Sequence, residues 1–219
     1  MRTIRITGKG DLKIRPDTTR ITVTLTEVCK EYSGALKRSS DDTEKLKELL
    51  SGFGFKRADL KTLNFNVDAE YEGYNENGAY KQRLVGYRYR HMVKIEFASD
   101  NDRLGKTLYA LANSELRPEF NISYTVKDRE AAKNELLAKA VADAKEKAAV
   151  LTQAAGMTLM GIQSIDYSWG EIDMEVRPMN GMMSLRKMST DSAEDGYSMD
   201  LEPDDINVSD TVTVIWEIA

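Results

Sequence analysis

Residues 128–156, DREAAKNELLAKAVADAKEKAAVLTQAAG, carry the longest uninterrupted helical pattern in the 219-residue chain. Leu137, Val141, Ala144, Ala148, Leu151 and Ala155 recur every three or four residues, which gathers them on one face of a 3.6-period helix. Lys139, Asp143 and Lys147 fall away from that face. Small side chains let a helix approach its neighbour closely, so the alanine-rich face predicts a helix lying on a sheet. Asp128 is suited to cap its start, Glu130 complements the positive end of its dipole, and Gly156 can adopt the left-handed conformation that ends it.

Before this helix the period switches between two and 3.6. Residues 19–29 alternate, with Ile21, Val23 and Leu25 opposite Arg20, Thr22, Thr24 and Thr26, the pattern of a half-buried strand. Residues 33–53 follow as a helix whose stripe is Leu36, Thr43, Leu46, Leu50 and Phe53, closed by Gly54. Residues 61–72 alternate again, with Leu63, Phe65, Val67, Ala69 and Tyr71 on one face. Residues 84–97 do the same, with Val85, Tyr87, Tyr89, His91, Val93, Ile95 and Phe97 on theirs. Asn77-Gly78 between them predicts a long hairpin, which sets Arg88 opposite Asp68 and Arg90 opposite Asn66. A second helix is expected from Ser99 with Leu104, Leu108 and Leu111, then a strand with Phe120, Ile122, Tyr124 and Val126.

The order β-α-β-β-α-β is the ferredoxin-like plan, two helices covering one face of a four-stranded antiparallel sheet. The remaining pieces fit a second small α/β domain. Residues 2–14 read as a short hairpin turning at Gly8 and Gly10, and strands are expected at 159–167 and 211–218, with the long helix packed on them. The fold class is therefore α+β, with a ferredoxin-like unit at 19–127 inserted into a second domain made of 1–18 and 128–219. Residues 169–210 show neither period and are expected to form a mobile acidic loop. They hold Met174, Met179, Met182, Met183, Met188 and Met199, six of the ten methionines.

The net charge is −5, and residues 170–210 hold eleven Asp and Glu against three Lys and Arg, more than the whole of that excess. The rest offers no general attraction to nucleic acid or an anionic membrane. With Cys29 the single cysteine, no intramolecular disulfide can form and no cysteine-rich metal site can be built. The first residues alternate charged and apolar side chains, with no signal-peptide core, and no run of about 20 apolar residues could span a bilayer. As written the chain reads as cytoplasmic; a mature exported protein, with its signal removed, would read as periplasmic or extracellular.

With these elements placed, the chain resembles the SIMPL family, a domain of unknown function also seen in bacterial periplasmic immunogenic and oxidative-stress-related proteins. The matching residues are Gly8-Lys9-Gly10 with Pro16-Asp17, Leu63-Asn64-Phe65 leading to Tyr71, Gly86-Tyr87, and the Ala- and Lys-rich stretch 138–156. The resemblance implies a two-part α/β fold and, in some members, assembly into large rings. It implies no established reaction.

Candidate chemistry is sparse. His91 is the only histidine, so any Ser/His/Asp triad or histidine-bearing metal site must use it; its strand phase, shared with Val93 and Ile95, predicts a structural core residue instead. Gly8-Lys9-Gly10 reads as a turn rather than a phosphate cradle. The six loop methionines could offer Cu(I) thioethers or an adaptable contact surface, and Asp17 and Asp68 are the carboxylates an undescribed hydrolase would use. Val85-Gly86-Tyr87-Arg88-Tyr89 echoes an RNA-recognition strand, yet Tyr87 and Tyr89 share the core phase, while stacking aromatics must face solvent. Arg88, Arg90, Lys94 and Asp68 on the open sheet face form the candidate interaction surface. The expected function is a non-enzymatic, self-associating scaffold or binding module, possessing no cofactor or metal and partnered by further copies of itself. The alternatives are single-stranded RNA binding through the open face and an undescribed carboxylate-based hydrolase.

Overall fold

The computed structural model describes residues 2–167, 170, 172–177 and 201–219. In chain order the elements are β1 (Arg2–Ile14), β2 (Thr18–Cys29), α1 (Tyr32–Ser51), β3 (Lys61–Glu76), β4 (Ala79–Ala98), α2 (Asn101–Ala112), β5 (Glu119–Thr125), α3 (Arg129–Ala154), β6 (Leu159–Asp166), β7 (Glu175–Val176) and β8 (Ile206–Ile218). They make an α+β fold with one sheet of three strands and one of five. The chain divides into two compact units, one combining Met1–Asp17, Thr125–Val176 and Pro203–Ala219, the other built on Thr18–Tyr124.

In the unit built on Thr18–Tyr124 the four long strands run in the order β3-β4-β2-β5, the ferredoxin-like arrangement. Alternation along β2 and β4 buries Ile21, Val23, Leu25, Tyr89, Val93, Ile95 and Phe97 on one face. Both helices cover that face. Asp42 of α1 accepts from the Tyr89 hydroxyl at 2.6 Å, and the Arg103 guanidinium of α2 lies 3.9 Å from the centre of the Phe55 ring and 5.2 Å from that of Phe97. The stripe of α1 is rotated from the expected one: Ala35, Ser39, Asp42, Leu46 and Leu50 are buried, and Leu36 is exposed. The cap of α2 is Asp100, whose carboxylate accepts from the Arg103 amide at 3.0 Å, rather than Ser99.

In the other unit β8 is central, between β1 and β6. The expected N-terminal hairpin is not formed: β1 is one strand of 13 residues, paired antiparallel with β8 from Arg2↔Ile218 to Ile14↔Ile206. Gly8 and Gly10 sit mid-strand beneath α3. A Cβ at Gly8 would lie 2.1 Å from the Ala140 carbonyl oxygen, and one at Gly10 would lie 2.2 Å from that of Leu136. The glycines therefore serve close approach rather than a turn.

This contact also fixes which face of α3 is buried. Leu136, Ala140, Ala144, Ala148 and Thr152 are buried, while Leu151 of the expected stripe is exposed. The i,i+4 row of small residues wins because it can lie on strand backbone without side chains between. Its ends follow expectation: Asp128 accepts from the Ala131 amide at 2.8 Å and Gly156 has φ +67. The outward lysines are locally paired, Lys139 with Glu135 and Lys147 with Asp143.

Residues 169–210 are not structureless throughout. β8 begins at Ile206, and Met174, Ile206 and Val208 close a small core with Val126 and Leu136. Met174 is thus a core residue, and its carbonyl accepts from the Thr125 hydroxyl at 2.8 Å. Met179, Met182, Met183, Met188 and Met199 lie outside the described residues. No helix among the described residues is long and apolar enough to cross a membrane.

Candidate interaction surface

Because β4 alternates, Arg88, Arg90 and Lys94 stand on the sheet face opposite α1 and α2. The register with β3 sets Asp68 opposite Arg88 and Asn66 opposite Arg90, as the hairpin centred on Asn77 (φ 51) and Gly78 (φ 79) predicts. The ion pairs do not all follow the register. Arg88 reaches diagonally to Glu70, donating from Nε at 2.9 Å and Nη2 at 2.7 Å, a reach open to long side chains on one face. That fork holds the Glu70 carboxyl below its ordinary pKa. Asp68 instead accepts from the Asn66 amide. Lys94 meets Glu96 at 3.0 Å, a carboxylate shared with Arg20 at 2.6 Å, and Arg90 lies 3.8 Å from Glu119.

Thr26, Asn66, Asp68, Arg88, Arg90 and Glu119 line a polar depression of about 350 Å³ on this face. Cations and carboxylates alternate across it, and an incoming phosphate would have to displace a carboxylate from each guanidinium. Tyr87 and Tyr89 are turned the other way. Tyr89 is buried, and that desolvation, followed by its hydrogen bond to the Asp42 carboxylate, pushes its phenol well above the usual range, while Tyr87 meets Tyr32 of α1 edge-on at 5.7 Å.

His91 is half-buried between two threonine hydroxyls, Thr43 at Nδ1 and Thr62 at Nε2, both at 2.9 Å. Desolvation, followed by the Lys47 charge, lowers its pKa. Both ring nitrogens are thus occupied by neutral partners. Among the described residues no three His, Cys, Asp or Glu side chains are grouped to hold a metal.

The motif residues fall in both units and serve mostly as framework. Asp17 joins two segments of its unit, its amide donating to the Thr125 carbonyl at 3.2 Å and its Oδ1 accepting from the Lys127 amide at 2.8 Å. Pro16 beside it is buried. Gly86 is buried where a Cβ would lie 2.3 Å from the Cys29 carbonyl oxygen, at the last pair that β2 makes with β4.

Because β2 stops opposite Tyr87, residues 70–76 and 79–86 form a two-stranded ribbon without a third strand among the described residues, roughly 20–25 Å long at strand rise. Alternation along β3 had placed Leu63, Phe65 and Tyr71 in the core. They are instead 49%, 42% and 58% exposed, and Tyr74, Tyr80, Leu84 and Val85 are exposed with them. Period two identifies a face but not how far the helices extend over it. Cross-strand pairs hold the ribbon in shape: Arg83 with Glu72, Lys81 with Glu76, and the Tyr80 ring over Gly73. Edge strand β3 leaves one row of backbone donors and acceptors without a strand partner among the described residues.

No curated protein matches the chain. One family model does, over residues 4–216: SIMPL, described as a protein of unknown function (DUF541). Spanning both units and nearly every described element, that match establishes that the chain belongs to the SIMPL family.

Proposed function

We propose that this SIMPL-family chain is a non-enzymatic scaffold or binding module that associates with copies of itself, and that the ribbon of β3 and β4 is the surface it uses. The carrying observation is the ribbon's combination of an open backbone edge with exposed Tyr71, Tyr80 and Leu84 on one face and exposed Tyr74 on the other. Exposed apolar patches of this kind mark interaction sites, and an isolated two-stranded ribbon is at best marginally stable in water. A partner strand would satisfy the edge and cover the aromatics at once. The open sheet face, with its cations already matched to carboxylates, supports the ribbon and is not the primary contact. Static light scattering of the wild type and of a Tyr71→Ser/Tyr74→Ser variant tests the reading. The wild type is expected above its 24.7 kDa chain mass, with the variant shifted towards monomer; a wild type that stays monomeric at high concentration overturns it.

A further inference from the structure

A second open edge lies in the other unit. β1 is the outer strand of the order β1-β8-β6, and α3 runs along it on one face, held close by Gly8 and Gly10. The Lys9 amide turns away from β8 and donates to Asp143 of α3 at 2.6 Å. Backbone groups of an antiparallel strand alternate between its two sides, so those of Arg5 and Thr7 face the same open edge. One flank of α3 overhangs it. Asp143, Glu146, Lys147, Val150 and Leu151 occur at helical spacing on that flank and, with Arg5, Ile6 and Thr7, enclose a groove of about 600 Å³. Val150 and Leu151 are 60% and 50% exposed there.

We infer that this groove receives the β3 edge of the ribbon from a second copy of the chain, a reading that rests on ribbon-mediated self-association and names the surface the ribbon meets. Sterics select the occupant. A strand added to β1 lies about 4.8 Å further out, beneath the flank of α3. Helices need 8–10 Å between axes, so a strand carrying its own helix on that face, such as β1 of another copy, would collide. Among the described residues the ribbon has no helix-covered core on either side.

Charge and spacing fit as well. Glu72, Tyr74 and Glu76 share one face of β3. With Tyr74 beneath Val150 and Leu151, a neighbouring glutamate reaches Lys147: two strand residues span roughly 6.8 Å and the four helical residues from Lys147 to Leu151 about 6 Å. Glu72 serves in one strand direction and Glu76 in the other. Glu72–Arg83 and Glu76–Lys81 are exposed pairs that exchange readily, and Lys147 is itself exposed although its partner Asp143 is only partly so. Such a contact is head-to-tail, each copy offering a ribbon and a groove.

Complementation tests it. Leu151→Asp blocks the groove at an exposed position, and Tyr71→Ser/Tyr74→Ser blocks the ribbon; circular dichroism melts check that both variants fold. Each variant alone is expected to lose association by at least about tenfold (about 1.4 kcal/mol), and their equimolar mixture is expected to form a heterodimer through the one intact junction. An oligomer that survives Leu151→Asp but not the ribbon substitutions overturns the groove and leaves the ribbon reading standing. Two monomeric variants that do not recombine also overturn the pairing. A monomeric wild type removes both.

Discussion

His91 hydrogen-bonds to Thr43 and Thr62 and is half-buried, with Lys47 as the charge acting on it. Its pKa is lowered from the ordinary 6.5, so the unfolded chain binds its proton more readily than the folded one. The stability it contributes is therefore complete above pH 6.5 and is lost as pH falls through the lowered value. Urea unfolding midpoints of the wild type should fall more steeply between pH 7.5 and 5 than those of His91→Gln; equal slopes would mean the imidazole is not held neutral by its surroundings. Strand phase alone placed this residue against the helices. Asp42, by contrast, was not legible: its hydrogen bond from Tyr89 joins residues 47 apart in sequence, and although Arg38 stands only four residues away on α1, helical periodicity of apolar side chains passes over a buried carboxylate.

At the scale of elements, β1 and α3 show what a sequence pattern holds and what it omits. Gly8-Lys9-Gly10 reads equally as a turn or as backbone against backbone. Neither glycine has the positive φ that Gly54, Gly78 and Gly156 adopt, so close approach is the operating reason. Gly8→Ala is expected to destabilise the protein by roughly 2–4 kcal/mol, because its Cβ would strike the backbone of α3, which cannot swing aside as a flexible side chain can. Gly161→Ala, with nothing within 4 Å of the added atom, should cost far less in the same denaturant titration. The ferredoxin-like order, the Asn77-Gly78 turn, the β3–β4 register and the Asp128 cap were all legible, because each depends on neighbours within a few residues or on strict alternation. The buried stripe of α3 was not, because partner backbone selected the small residues over the more apolar ones. The start of β8 at Ile206 was hidden similarly, its burial depending on Met174 and Leu136.

At the scale of the whole molecule, membership in the SIMPL family agrees with the resemblance carried by the motif residues, most of which prove to be framework. Gly8, Gly10, Pro16, Asp17 and Gly86 secure close contacts and segment joins. Tyr71 differs, being exposed on the ribbon. The candidate surface of Arg88, Arg90, Lys94 and Asp68 was legible as a face, but its charges meet carboxylates from Glu70, Glu96 and Glu119 that register alone did not select. The ribbon was legible as a hairpin and not as an exposed arm, since the end of β2 decides how much of it is covered. Its role can be read directly by amide hydrogen exchange of the intact chain at low and high concentration. Self-association through the ribbon predicts that residues 70–76 gain protection as concentration rises, while core strand β2 is unchanged. Identical exchange in 70–76 at every concentration, with the mass held at 24.7 kDa, would contradict it.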